Sequence, residues 1–174
     1  MEWVNFQKVL IEFGNFVVER AKLELGTQRK EGRKTVRRVA TGNLQSGLFS
    51  TFKQRRGNLI LELNSNQSYA DFIHEGVNGT KINRGSKYSF KKEMINTEGI
   101  RQWVRVKGVR PRKDGKFIPQ TENSVNQMVF AIGRSIARNG IPSVPFFTLA
   151  IESAYEKYQD KFDTAIIKDI DIQL

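Results

Sequence analysis

A chain of 174 residues with 39% hydrophobic and 10% aromatic content is long enough to bury a real core, which excludes wholesale disorder, and its apolar runs are too short and too interrupted to cross a bilayer. Zero cysteines remove disulfides, thiolate nucleophiles and cysteine-ligated zinc together, so packing alone must hold the fold. The charge, 29 lysines and arginines against 18 acids for a formal +11, is unevenly spread: nine cations face one acid, Glu31, between residues 26 and 56, and six acids face three lysines between 152 and 174.

One soluble domain over residues 1–174 is expected. The start, MEWVNFQKVLIEF, lacks the basic leader and small-residue cleavage site of a secretory signal, which fits synthesis inside a cell. Trp3, Phe6, Leu10, Phe13, Val17, Ala21 and Leu25 recur at three- and four-residue steps and predict an amphipathic helix over 2–25, stopped by Gly26. TQRKEGRKTVRR has no apolar period and reads as an exposed basic arm over 26–38, carrying Arg29, Lys30, Arg33, Lys34, Arg37 and Arg38. Thr41 is placed to cap a helical turn through NLQSGL, after which LFSTFKQ and NLILELN flank RRG as a β-hairpin.

Ser68 is placed to cap a short helix with Tyr69, Ala70, Phe72 and Ile73, ended by Gly76. A loop-rich insertion over 77–121 follows, glycine-rich and basic, with a projecting loop up to Ser89. Within it a helix capped by Thr97 carries Ile100, Trp103 and Val104 and stops near Gly108, and RPRKDGKFIPQ reads as a basic loop opposed to regular structure by its prolines and glycine. A stronger helix over 123–139 aligns Val125, Met128, Val129, Ile132 and Ile136 and ends at Gly140. PFFTLAIESAYEKYQDKF opens the last helix with proline in its first turn. IIKDIDIQL alternates apolar and polar residues and predicts a terminal strand that joins the hairpin's sheet. The expected class is α+β: a small, mostly antiparallel sheet packed with N-terminal and C-terminal helices, with long basic loops.

His74, the single histidine, stands beside Glu75 and three residues after Asp71, but one histidine cannot supply a metal-binding pair, and no nucleophile, base and orienting group visibly converge on it. A structural or surface role is expected. Ser46 lacks the glycine two residues earlier that a nucleophile elbow requires, and VNGTK and EGRKT lack the full phosphate-loop spacing. Trp103 and the Pro145–Phe147 run sit at helical spacing, which points to core or subunit contact ahead of base stacking. No catalytic, metal or cofactor residue is assigned, and no enzyme is expected.

Three short signatures stand in a consistent order. ATGNLQSGL at 40–48 resembles the "TGxLxxS" turn-helix of the tail-completion, or head-tail joining, family of long-tailed bacteriophages. SYADFIHEGVNGT is similar to that family's "YAxxvExGT" element, with Tyr69, Ala70, Glu75, Gly76 and Thr80 on matching positions. GIPSVPFFTLAIESA at 140–154 resembles its "PFxxPAxxxA". The chain departs from the pattern where Val77, Asn78 and Gly79 separate Gly76 from Thr80, and where Thr148 and Leu149 replace a proline before Ala150.

The resemblance implies a structural protein of the virion neck, made in the host cytoplasm, that closes on itself in a six-fold ring. Such a ring completes the tail, joins it to the head connector and passes DNA through its lumen. The partners so implied are copies of the chain, the connector or stopper, and the tail terminator or tube proteins, with no membrane. Tyr69, Glu75, Gly76, Thr80, Pro145, Phe146 and Phe147 are the implied assembly contacts. The basic arm is the segment expected to meet DNA phosphates without reading bases. The alternative is a sequence-nonspecific nucleic-acid-binding protein, which rests on charge alone.

Overall fold

The computed structural model describes residues 3–26, 28–31, 34–37, 42–93 and 96–171. The chain divides into two compact units, residues 1–70 with 145–174 and residues 71–144. Together they hold an α+β fold with helices at both ends of the chain and antiparallel β-hairpins between them.

In the first unit, α1 (Val4–Gly26) and α6 (Phe146–Asp171) form the main helix pair. Phe13, Val17, Ala21 and Leu25 recur every four residues and are buried, opposite Ala150 and Ala154, which have no exposed surface. Such small residues let two helix backbones approach closely. Towards the N-terminal end of α1 the gap is filled by aromatic rings: Phe162 lies 5.4 Å from Phe6 and 5.5 Å from Phe13, and Tyr158 lies 5.7 Å from Phe13.

The hairpin β3 (Leu48–Arg55) and β4 (Asn58–Ser65) packs on α1. Arg56 and Gly57 both have positive φ, 52° and 82°, the two-residue turn whose twist matches a hairpin. Ser50, Leu59 and Leu61 lie on the α1 side, where a Cβ on Gly14 would come within 2.6 Å of Leu61 Cδ1. The short helix α2 (Asn43–Ser46) precedes β3, with Gly42 at its N-cap where Thr41 was expected; Thr41 lies outside the described residues. The basic arm departs from the expected loop. Its backbone forms a second antiparallel ribbon, β1 (Gln28–Glu31) with β2 (Lys34–Arg37), pairing Arg29 with Val36 and Glu31 with Lys34. Thr35 and Val36 are β-branched, a local preference that a search for apolar period overlooks.

The predicted terminal strand is absent: α6 continues through Asp171, and residues 172–174 lie outside the described set. Burial follows the helical period through Tyr158, Ala165 and Asp169, while Ile167 and Ile170, two of the residues that suggest a strand, are exposed. The hairpin β3–β4 therefore stays two-stranded among the described residues.

In the second unit, α4 (Glu98–Lys107) packs on α5 (Glu122–Asn139). Ile100, Val104 and Val129 form its core, flanked by Val109, Val125, Met128, Ile132 and Ile136. Thr97 sits at the N-cap of α4 without a side-chain bond; Asn96 Oδ1 accepts the Glu98 N–H instead, at 2.9 Å. Thr121 and Ser124 form a reciprocal capping box at the start of α5. The RPRKDGKFIPQ segment, expected to be a loop, holds the short hairpin β5 (Arg112–Lys113) and β6 (Lys116–Phe117). Asp114 and Gly115 form its turn with φ of 49° and 78°, a local signal strong enough to prevail between prolines.

Candidate functional site

The residues after α3 (Ala70–Glu75) do not project. They fold onto the C-terminal end of α5, whose last carbonyls have no partner within the helix. Thr80 N–H donates to Ala137 O at 2.9 Å, Lys81 N–H to Arg138 O at 3.0 Å, and the Arg84 guanidinium Nε to Asn139 O at 2.6 Å. A cation at this end also opposes the helix dipole. The three residues that interrupt the family-like motif make this docking possible. Val77 exchanges two backbone bonds with Ile141 and is buried. Asn78 Oδ1 accepts the N–H groups of Arg84 and Ser86, and its Nδ2 donates to Ser86 O. Gly79 lies so close to the Arg138 carbonyl that any Cβ would collide with it.

Gly76 is constrained twice. Its φ is +74°, and a Cβ there would come within 2.7 Å of Ile141 O and Ser143 N. Glu75 pairs with Lys87 at 3.5 Å across solvent, a contact of small energetic value. Glu75, Gly76 and Thr80 are thus brought together in one docked loop. Around them Phe72 stacks edge-on against Tyr88 at 4.6 Å, and Ser143 Oγ donates to the His74 carbonyl at 2.5 Å.

The other implied contacts divide by exposure. Tyr69 is 39% exposed, whereas Phe146 is 1% exposed and belongs to the core at the start of α6, its ring 4.8 Å from that of Phe147. Pro145 precedes α6 and accepts the Leu149 N–H through its carbonyl. Arg29, Lys30, Lys34 and Arg37 are placed only by backbone register in β1 and β2; Arg33 and Arg38 lie outside the described residues.

Burial lowers the pKa of His74 from its ordinary value, against Glu75 and Asp71, which raise it, and with help from Lys87. The environment thus disfavours the cationic form of the imidazole. Among the described residues no group of three or more His, Cys, Asp or Glu is placed to hold a metal ion, and no helix is long and apolar enough to cross a membrane.

Two features escaped the sequence reading. Asp169, 1% exposed, accepts the N–H groups of Asn5 and Phe6 at 2.9 and 2.8 Å and the Asn5 amide at 2.7 Å, so α6 caps the N-terminus of α1. The second is the charge of residues 71–144: fourteen lysines and arginines against six acids, a net +8 of the chain's +11. Counting along that stretch would have found it, because no acidic run offsets it. No protein-family model, curated protein or solved structure matches the chain.

Proposed function

We propose that this chain is a structural protein of the neck of a long-tailed bacteriophage, a ring-former, six-fold in our reading, that completes the tail and joins it to the head connector while DNA passes through the lumen. The observation that carries the reading is the order of its three signatures and the elements they open. NLQSGL forms α2 and leads into β3, ADFIHE forms α3 and ends at the constrained Gly76, and PFFTLAIESA begins α6. The inserted Val77–Gly79 tripeptide is accommodated by docking on α5, so the departure from the pattern has a local structural use.

Ring closure repeats one heterologous contact, which needs two different complementary patches on each subunit. The acids Glu152, Glu156 and Asp163 on the outer side of α6 and the cations concentrated in 71–144 supply opposite signs for such a contact. In the assembled virion the neighbours would be the connector or stopper on one side and the tail terminator or tube on the other. A second reading, a nucleic-acid-binding protein without sequence preference, is favoured by the net charge of that second unit.

The deciding experiment is complementation of a phage that lacks this gene product, with electron microscopy of the particles and of the purified protein. Rings in solution and restored head-tail joining are expected. Monomers that bind DNA and leave tailless heads uncorrected would replace this reading with the second.

A further inference from the structure

Residues 99–117 concentrate cations and exposed rings in a way that the packing of the second unit does not require. Arg105, Lys107, Arg110, Arg112 and Lys116 are all exposed, and the sole acid of the stretch is Asp114, in the hairpin turn. Ion pairs described in this unit include those of Glu75 with Lys87 and of Glu93 with Arg134 and Arg138. Arg105 and Lys107 sit in the last turn of α4, where they oppose the helix dipole, so those two have a structural reason. Arg110, Arg112 and Lys116 have none of that kind, and clustering them raises self-repulsion.

The apolar side chains beside them are equally unexplained by the core. Ile100 and Val104 face α5, while Trp103, Val106 and Phe117 are 40%, 54% and 59% exposed. Trp103, Val106 and Lys107 share one helix face by their three- and four-residue spacing. The Arg112 guanidinium lies 4.1 Å from the centre of the Phe117 ring, so charge and aromatic surface are presented together. The segment is held firmly: Val109 N–H donates to Val104 O, Ile118 N–H to Pro111 O, and the Gln120 amide to Val109 O.

We propose that the end of α4 and the β5–β6 hairpin form a sequence-independent contact for single-stranded nucleic acid, in which the cations hold phosphates while Trp103 and Phe117 stack on unpaired bases. Fixed cations interleaved with accessible rings match a strand whose backbone is anionic and whose bases have free π-faces. A duplex offers the phosphates but hides those faces. The inference goes beyond the ring reading and does not rest on it.

The test uses the full-length chain and labelled oligothymidylate of about twenty nucleotides, with a duplex of equal length as the second probe. Binding by anisotropy should be tighter for the single strand and fall steeply with salt, and Trp103 emission should be quenched on binding. Trp103→Phe should abolish most of that quenching, and Trp103→Ala should weaken binding about tenfold. The triple variant Arg110→Gln, Arg112→Gln, Lys116→Gln should cost at least about tenfold and reduce the salt slope by about 2. Lys157→Gln with Lys161→Gln on α6 serves as a control that leaves binding unchanged. Circular dichroism confirms that each variant is folded, and sedimentation reports ring formation separately. Unaltered binding by the triple variant overturns the proposal, as does duplex preference with no change in Trp103 emission. So does a triple variant that loses oligomers and keeps its DNA affinity, which would make the surface a protein contact.

Discussion

Asp169 illustrates how one side chain can join two ends of a chain. Burial disfavours its charge, yet the N–H groups of Phe6 and Asn5, the Asn5 amide and the nearby Lys8 favour it more, and its pKa falls below the ordinary 3.8. A carboxylate with a lowered folded-state pKa contributes stability that is present above the unfolded value and is lost as pH falls through the folded one. Asp169→Asn should therefore lower the melting temperature at pH 7 and remove part of the acid-induced loss below about pH 4. Thermal melts of both proteins across pH check this; parallel curves would contradict it. His74 has the same sign through a different cause, because burial penalises its cationic form. Its neutral form is compatible with the fold above the ordinary 6.5, and stability drains as pH falls from there towards the lower folded value. His74→Gln should behave like the parent well above the ordinary 6.5 and lose less stability as pH falls below it, as read by urea unfolding at each pH.

At the scale of elements, caps and periodicity decide more than local pattern. Thr121→Ala removes the acceptor of the Ser124 N–H and breaks the capping box of α5, at a cost of about 1 kcal/mol. Hydrogen exchange at the Ser124 amide should quicken, and chemical denaturation should show the loss. The C-terminal segment offers a sharper contrast. In α6, Ile167 is exposed and Ala165 is buried. Ile167→Lys should change stability by no more than about 0.5 kcal/mol, whereas Ala165→Glu should cost about 3 kcal/mol or more by burying an unpaired charge.

For the whole molecule the controlling quantity is charge. A net +11 repels itself in the compact state, and +8 of it lies within 71–144, which has 74 residues in which to spread it. Raising sodium chloride from about 0.02 M to about 0.3 M screens that repulsion and should raise the melting temperature of the free protein. Differential scanning calorimetry checks this, and a fall would mean that attractive surface pairs outweigh the excess. The same excess makes the second unit the larger attractor for a polyanion, where the sequence reading had placed that role on the arm at 26–38.

The sequence by itself determined the features written in local chemistry. The long amphipathic helices, the hairpin around Arg56 and Gly57, the stop of α3 at Gly76 and the apolar face of α5 follow from period, turn chemistry and the conformational freedom of glycine, all of which act within a few residues. Among the site residues, Glu75, Gly76 and Thr80 were legible as a group through a short motif. What that loop rests on was not legible. Its partner carbonyls lie about sixty residues further along the chain, and only tertiary docking brings Thr80 to Ala137 and Arg84 to Asn139. Tertiary structure also decided the C-terminus. Alternation of isoleucine with charge is ambiguous in isolation, and the choice of helix went to the arrangement that buries Ala165 and sets the Asp169 carboxylate against the first amides of α1, a contact between residues 164 positions apart.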